Sequence, residues 1–293
     1  MKRHLSYFVL TAISLTVFTT STVSAAAPIS TGLNYTFSED SDGIKTNAWK
    51  LATLDEEAPW NLTLYRTHIA QQYKSLNETT VVTRFKTPIN HQNNVTFWLG
   101  ASQNRILNFY SYAAMYDGPL SDHSHFWISH GKESLGTITA YERGVHSTST
   151  NLSVLNNFTP SLYGVIDLKR TYYTDGNHKK KAVFTLTKQL NKAWKLKAGY
   201  LYDGADHKAT GVYYVPVGEK AAFVGTEWTI PIGQGSLVVS GEKSFFAKNS
   251  EGNINRYSAG AEFTLKQLSA GVRYDKSGDY WAHSWNLTWR QNW

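Results

Sequence analysis

The sequence contains no cysteine, so no disulfide can staple the fold in the way common among small secreted proteins. Beyond residue 18 no apolar run approaches the roughly 20 residues that a membrane-crossing helix needs, and the mean hydropathy of −0.38 is that of a soluble chain. The chain also lacks a glycine-rich phosphate loop in a strand-to-helix setting, which removes the usual sign of a nucleotide site. It has no long linker, low-complexity block or helical repeat. A transmembrane β-barrel is one fold that needs neither crosslinks nor apolar helices. Only every second residue of such a strand faces lipid, and closure satisfies the backbone hydrogen bonds all round.

What is present begins with an export signal. Lys2, Arg3 and His4 precede an uncharged apolar stretch, residues 5–18, and Val23-Ser24-Ala25 offers the small residues at which a signal peptide is cut. The reading is a signal peptide over residues 1–25 and one domain over residues 26–293. The expected class is all-β: an antiparallel up-and-down barrel in the cell outer membrane.

The last segment carries the clearest pattern. Trp281, His283, Trp285, Leu287, Trp289, Gln291 and Trp293 alternate with Ala282, Ser284, Asn286, Thr288, Arg290 and Asn292. Strict alternation is a strand with one apolar and one polar face. The same period runs through Arg256–Leu265, through residues 268–275 and through residues 194–203. In each, aliphatic and aromatic residues share one face, and charged or small residues share the other. That fits a lipid shell outside and water inside.

Tight connections at Asn191-Lys192, residues 233–235 and Lys266-Gln267 alternate with longer ones at residues 174–179, 204–218, 249–253 and 276–280. The final strand is expected to end in the periplasm, which makes the longer connections external. Candidate strands in the N-terminal half cover 31–39, 45–53, 60–67, 79–87, 93–101, 105–114, 122–130, 134–142 and 148–157. The raw total is odd, whereas single-chain bacterial barrels have even counts. One candidate is therefore false, with the first 80 residues suspected, and the expected number is about 16. No connection is long enough to look like an inward-folded constriction loop.

On these faces Lys195, Lys197, Asp203, Arg256, Glu262, Arg273, Asp275 and Arg290 point into the lumen, with Tyr163 and Tyr173 as inward aromatics suited to stacking on sugar rings. Trp285, Trp289 and Trp293 belong to the lipid-facing aromatic belt. Charges of both signs are costly in lipid and cheap in a wet lumen. They can knit the wall together or line a conduit. The net charge of +7 and stretches such as His178-Lys179-Lys180-Lys181 suit contact with outer-membrane lipids and anionic lipopolysaccharide. An exported chain does not meet nucleic acid.

Catalysis finds little support. Asp122-His123-Ser124-His125 and Ser129-His130 supply a nucleophile and bases, but a Ser next to a His in a strand points away from it. His123 and His125 make at most half of a metal site. The histidines are expected in external loops, and the chain is expected to be no enzyme and to need no cofactor or metal.

Residues 161–230 resemble the C-terminal barrel of bacterial exopolysaccharide export proteins and the YaiO-family barrels. The resemblance rests on Tyr172-Tyr173-Thr174-Asp175-Gly176-Asn177, on Gly199-Tyr200-Leu201-Tyr202, and on Tyr213-Tyr214-Val215-Pro216. It implies a polar conduit for polysaccharide. The alternatives weighed beside it are a structural or receptor barrel with a blocked lumen and an interfacial lipid hydrolase. Those export proteins carry a periplasmic array of helical repeats ahead of the barrel. The resemblance therefore implies that a periplasmic scaffold is a separate protein here, or absent. An aromatic last residue further implies recognition of Trp293 by the barrel-assembly machinery.

Overall fold

The computed structural model describes residues 30–53, 58–90, 92–207, 212–213, 215–250 and 252–292. The signal segment and Trp293 lie outside the described residues. The wall begins with β1 (Ser30–Asp40), β2 (Ile44–Thr53), β3 (Trp60–Gln71), β4 (Lys74–Pro88), β5 (Asn94–Gln103), β6 (Asn108–Ser121) and β7 (Ser124–Ser134). A short helix, α1 (Ile138–Arg143), follows. The wall continues through β8 (His146–Thr159), β9 (Leu162–Tyr173), β10 (His178–Gln189), β11 (Trp194–Ala205), β12 (Glu219–Ile232), β13 (Gly235–Asn249), β14 (Arg256–Leu265), β15 (Leu268–Ser277) and β16 (Tyr280–Asn292). A two-residue ladder, Gly252–Asn253, folds back on the end of β13. It adds no further wall strand, so sixteen remain.

Every wall strand pairs antiparallel with its neighbours, and β1 closes the sheet on β16 from Ser30↔Asn292 to Asp40↔Ala282. Closure leaves no free edge, so the backbone can cross hydrocarbon without an unsatisfied N–H or C=O. Because directly paired residues share a face, the last strand sets the parity of the whole wall. Trp285 stands opposite Phe37 and Val272, and Val272 stands opposite Ala261. The outward set carries Leu51 at 52%, Leu99 at 58% and Val272 at 59% exposure. A soluble protein would bury such a contiguous belt, and lipid does so here. Tyr35 sits between Trp49 and Trp285 at centroid separations of 4.5 and 4.9 Å, and Trp194 packs on Trp228 at 5.4 Å. Trp285 and Trp289 both lie on this outer face, 40% and 43% exposed.

Three expectations need correction. Residues 134–142 are not a strand. They are the end of β7, a turn and α1, so the false candidate lies here and not in the first 80 residues. Thr137 and Gly144 bracket the helix as its caps, and apolar Ile138 and Tyr141 are three apart on one helical face. That spacing competes with period 2 and wins because both side chains find a core. Residues 276–280 are not a long connection: β15 runs to Ser277 and β16 starts at Tyr280, joined by a two-residue turn in which Gly278 takes φ +61°. The histidines do not gather in external loops. His68, His125 and His130 lie in strands, and His123 lies in the short turn on the same end as the C-terminus.

Candidate functional site

The inward face holds two distinct settings, a charged wall and a bridged outer mouth. On the wall, β11 presents Lys195 and Lys197 on the face opposite Leu196 and Ala198, and both reach the Glu227 carboxylate of β12, at 2.6 and 3.1 Å. One carboxylate between two ammonium groups leaves a local excess of positive charge. Higher up, Lys179 Nζ lies 3.1 Å from Asp203 Oδ1. Arg273 donates two bonds to Asp275, of 2.7 and 2.8 Å. Glu219, 2% exposed, accepts from Arg256 at 2.6 Å and from the Ser277 hydroxyl at 3.1 Å. Glu262 stands opposite Gly271 and Arg290 opposite Gly32, both exposed on the inward face. Tyr163 is inward on β9, in register with Thr187. In water most of these pairs add about 1 kcal/mol or less each. The buried Glu219 group is the exception, because removing its partner strands a charge away from solvent.

The outer mouth is built differently. The connection after β7 turns inward at Gly136, and α1 enters the lumen. Ile138 and Tyr141 pack on Ile69 of β3 and Leu76 of β4, where Ile69, Leu76 and Ile138 are each 1% exposed. Burying side chains of this size contributes about 1.5–3 kcal/mol apiece. The helix start leaves no orphan donor at its first three residues. Gln71 Oε1 accepts from Ile138 N at 3.1 Å and Thr139 N at 3.3 Å, and Thr137 Oγ1 accepts from Ala140 N at 3.1 Å. At the other end Gly144 takes φ +66°, and Val145 N returns to Ala140 O at 2.8 Å, a Schellman closure.

A second core continues from the helix. Ala140 and Val145 pack against Val212, Tyr213 and Val215 from the connection after β11, with Leu135, Tyr173 and Ala205 around them. The Thr137 hydroxyl donates to the Val212 carbonyl. Tyr213 stacks on Tyr173 at a centroid separation of 4.3 Å and 19° between planes. Its hydroxyl donates to the Asp175 carboxylate, 2.9 Å from Oδ2, and accepts from Asn177 Nδ2 at 3.3 Å. Asn177 is fully buried and also donates to the His207 carbonyl at 2.8 Å. Burial raises the Tyr213 phenol well above its ordinary range; the Asn177 bond opposes this and the Asp175 carboxylate adds to it. The Tyr141 phenol is raised in the same way, first by burial and then by Glu78.

These contacts run from β3 and β4 through α1 to the β11–β12 connection. Strands β3 and β11 are eight apart in a ring of sixteen, so the bridge crosses the lumen from side to side. No single connection is long enough to be a constriction loop, as expected, yet the lumen is bridged all the same. Two modest connections meet in mid-lumen and do what one long loop does elsewhere. Beside the bridge lies a cavity of about 350 Å³ against β1, β2 and β16. Asp40, Thr46 and Tyr280 line its wall side, and Thr137, Tyr173 and Tyr213 its bridge side. Tyr280 Oη lies 3.4 Å from Asp40 Oδ2, and Asp40 Oδ1 accepts from Asp42 N and Ile44 N at 3.0 Å each.

Sequence reasoning placed the charged wall but missed the mouth, naming only Tyr173 of its residues as a site. The available signals were Thr137 with Gly144 as helix caps, and the Asp175, Asn177 and Tyr213 of the quoted motifs. Ser124 and His125, the enzyme candidates, lie on opposite faces of β7. Ser124 donates to Asn156 at 2.6 Å, while His125 Nε2 is 3.8 Å from Asp117. Among the described residues no group of three or more His, Asp or Glu side chains converges to hold a metal ion.

Comparison with solved structures agrees on the architecture. A structure described as "Bacterial polysaccharide outer membrane secretin" superposes with a TM-score of 0.70 at 10% identity, over 89% of this chain and 98% of that one. The chain is an outer-membrane β-barrel. CdiB from Acinetobacter baumannii matches with a TM-score of 0.56 at 10% identity, over 91% of the barrel chain and 61% of CdiB. Pseudomonas aeruginosa OccK3 (OpdO) gives 0.51 at 10% identity, over 90% and 95%. No family model matches the barrel's sequence, and no curated protein matches it either. At these identities the likeness is one of fold alone.

Proposed function

We propose that the barrel is a gated polar conduit for exopolysaccharide export across the outer membrane. The observation that carries this reading is the bridged mouth with a lateral slot beside the bridge. A barrel of about 16 strands encloses an aqueous lumen, and here the charges on its inward face are largely met by partners on the wall, which leaves a polar surface of weak contacts. The slot then narrows the way out to a passage bordered by Tyr173, Tyr213, Tyr280 and Asp40. Aromatic faces and a hydrogen-bonding carboxylate suit a chain of sugar rings that slides past, since each contact is weak and repeated. The fold likeness to a barrel named as a polysaccharide secretin supports the same assignment. The reading involves no catalytic step and no cofactor. It implies delivery of the polymer from a periplasmic scaffold protein, and insertion by the barrel-assembly machinery.

One observation favours a second reading, a receptor or structural barrel with a blocked lumen: the bridge has a packed apolar core, as a permanent plug does. Single-channel recording in a planar bilayer separates the two. The conduit reading expects small or intermittent currents from the intact barrel, large steady currents after deletion of residues 136–144, and partial block by added oligosaccharide. Absence of current from both proteins overturns it. Large current from the deletion alone, with no oligosaccharide effect, favours the plugged receptor.

A further inference from the structure

The outer face carries a feature that the lumen does not explain. Near the external ends of β9 to β13, four cations stand on the lipid-facing parity of the wall. Arg170 of β9 is paired in register with Lys180 of β10, and Lys220 of β12 with Lys248 of β13. Strand β11, between the pairs, contributes Gly204 opposite Lys180 and Tyr202 opposite Lys220. All four cationic side chains are exposed. Arg170 lies over the Tyr172 ring at 4.7 Å and Lys220 over the Tyr202 ring at 5.9 Å, so both are held along the surface. The outward residues in register with them are Thr150, Gly204, Tyr202 and Asn253, which bring no carboxylate, and the nearby Asp206 carboxylate is taken up by His178 at 2.9 Å. From the strand spacing and rise, the nearest members of the two pairs, Lys180 and Lys220, lie about 12 Å apart along the backbone and the pair centres about 16 Å.

Directly below Lys220 and Lys248 the register shifts between Lys220 and Ala222, and β13 bulges. Phe246 in the bulge takes φ +54°, a conformation that a bulky residue rarely adopts, and its side chain is 91% exposed. Phe245 beside it is 45% exposed, and Phe184 of β10, four residues below Lys180 on the same face, is 45% exposed as well. With 91% of Phe246 exposed, its ring packs little against the described residues.

We propose that this patch is a binding site for the bisphosphorylated glycolipid of the outer leaflet, lipopolysaccharide, through its lipid A part. The two cation pairs, with Lys180 and Lys220 as their nearest members, meet the two phosphates of its disaccharide, and Phe245, Phe246 and Phe184 meet the acyl chains beneath. A zwitterionic or singly charged phospholipid offers one phosphate and cannot engage both pairs. The site is independent of what passes through the lumen.

Native mass spectrometry of the full-length mature barrel in detergent tests this, with bisphosphorylated lipid A, monophosphorylated lipid A and phosphatidylglycerol as probes. One bisphosphorylated lipid A should bind in preference to the other two. Each cation removed should weaken binding by about fivefold, so Arg170→Ala with Lys180→Ala, or Lys220→Ala with Lys248→Ala, should each bring it close to the monophosphorylated level. Phe246→Ser should weaken all three lipids. Heat-modifiable migration on gels confirms that each variant is folded, and Lys45→Ala, away from the patch, serves as the matched control. Equal binding of all three lipids, or unchanged binding in both double variants, overturns the site.

Discussion

The bridged mouth and the charged wall beneath it are made by one chain, yet they obey different rules. The wall is built by period 2. Most inward charges are solvated and most ion pairs are worth little, the buried Glu219 with Arg256 being the exception, and the outward apolar belt meets lipid. The mouth is built as a soluble core is built, with 1%-exposed Ile69, Leu76 and Ile138, a capped helix and a buried Asn177 whose side chain is hydrogen-bonded. A barrel's rigidity comes from closure of the backbone and needs no core. The mouth has no closure and needs one. The difference suits a gate: a small apolar core of a few side chains can open locally, at a cost well below that of unfolding the wall.

Four experiments press on that contrast. The largest effect is expected from deletion of residues 136–144. It should open the mouth and raise conductance severalfold, while heat-modifiable migration on gels stays unchanged. Loss of the folded barrel would show that mouth and wall are one cooperative unit. Next comes Ile138→Asp, which puts a charge where α1 packs on Ile69 and Leu76. The local core should lose about 2–4 kcal/mol, and hydrogen exchange at the Ala140 and Tyr141 amides should speed up about 100-fold or more, with little change in the strands.

Third, Arg256→Ala leaves Glu219 buried without its cation. Because Arg256 is itself partly exposed, the expected loss is about 2 kcal/mol, read as a lower unfolding midpoint. Glu227→Gln, among wetter groups, should cost less than about 1 kcal/mol and instead shift ion selectivity toward anions, since Lys195 and Lys197 lose their shared counter-charge. If the two variants cost the same, the contrast between buried and wet pairs fails. The smallest effect is a pH dependence. Tyr213 holds its proton more tightly in the folded mouth than when unfolded. Its stabilising contribution is therefore complete below pH about 10 and is lost as the pH rises beyond that. Mouth opening, followed as conductance, should increase above that pH in the parent. In Tyr213→Phe the increase should be smaller, because the buried Tyr141 still holds its proton in the folded mouth.

Most of the wall was legible in the sequence. Wherever a strand separates lipid from water, every second residue must change character, and Trp285 alternating with Ser284 and Asn286 states this directly. The parity read from β16 also assigned faces to Lys195, Arg256 and Arg273 without any knowledge of pairing. The same logic failed at residues 134–142. There the chain leaves the wall, and the environment on both sides of it is protein. Ile138 and Tyr141 then look like one more apolar face, and only Thr137 and Gly144 mark the helix. Asp175, Asn177 and Tyr213 stood in the motifs that suggested an export barrel. That Asp175 and Asn177 grip a tyrosine 36 to 38 residues further on had no local signature.

The sequence by itself determined the kind of solvent on each side of each strand, and with it the class of fold and the membrane that holds it. These follow from hydrophobic periodicity, which is a local property. The tertiary structure decided how the mouth is bridged, which charges meet, and which cations line up outside. Those depend on the register between strands and on contacts across the lumen, where residues far apart in the chain compete for the same few positions.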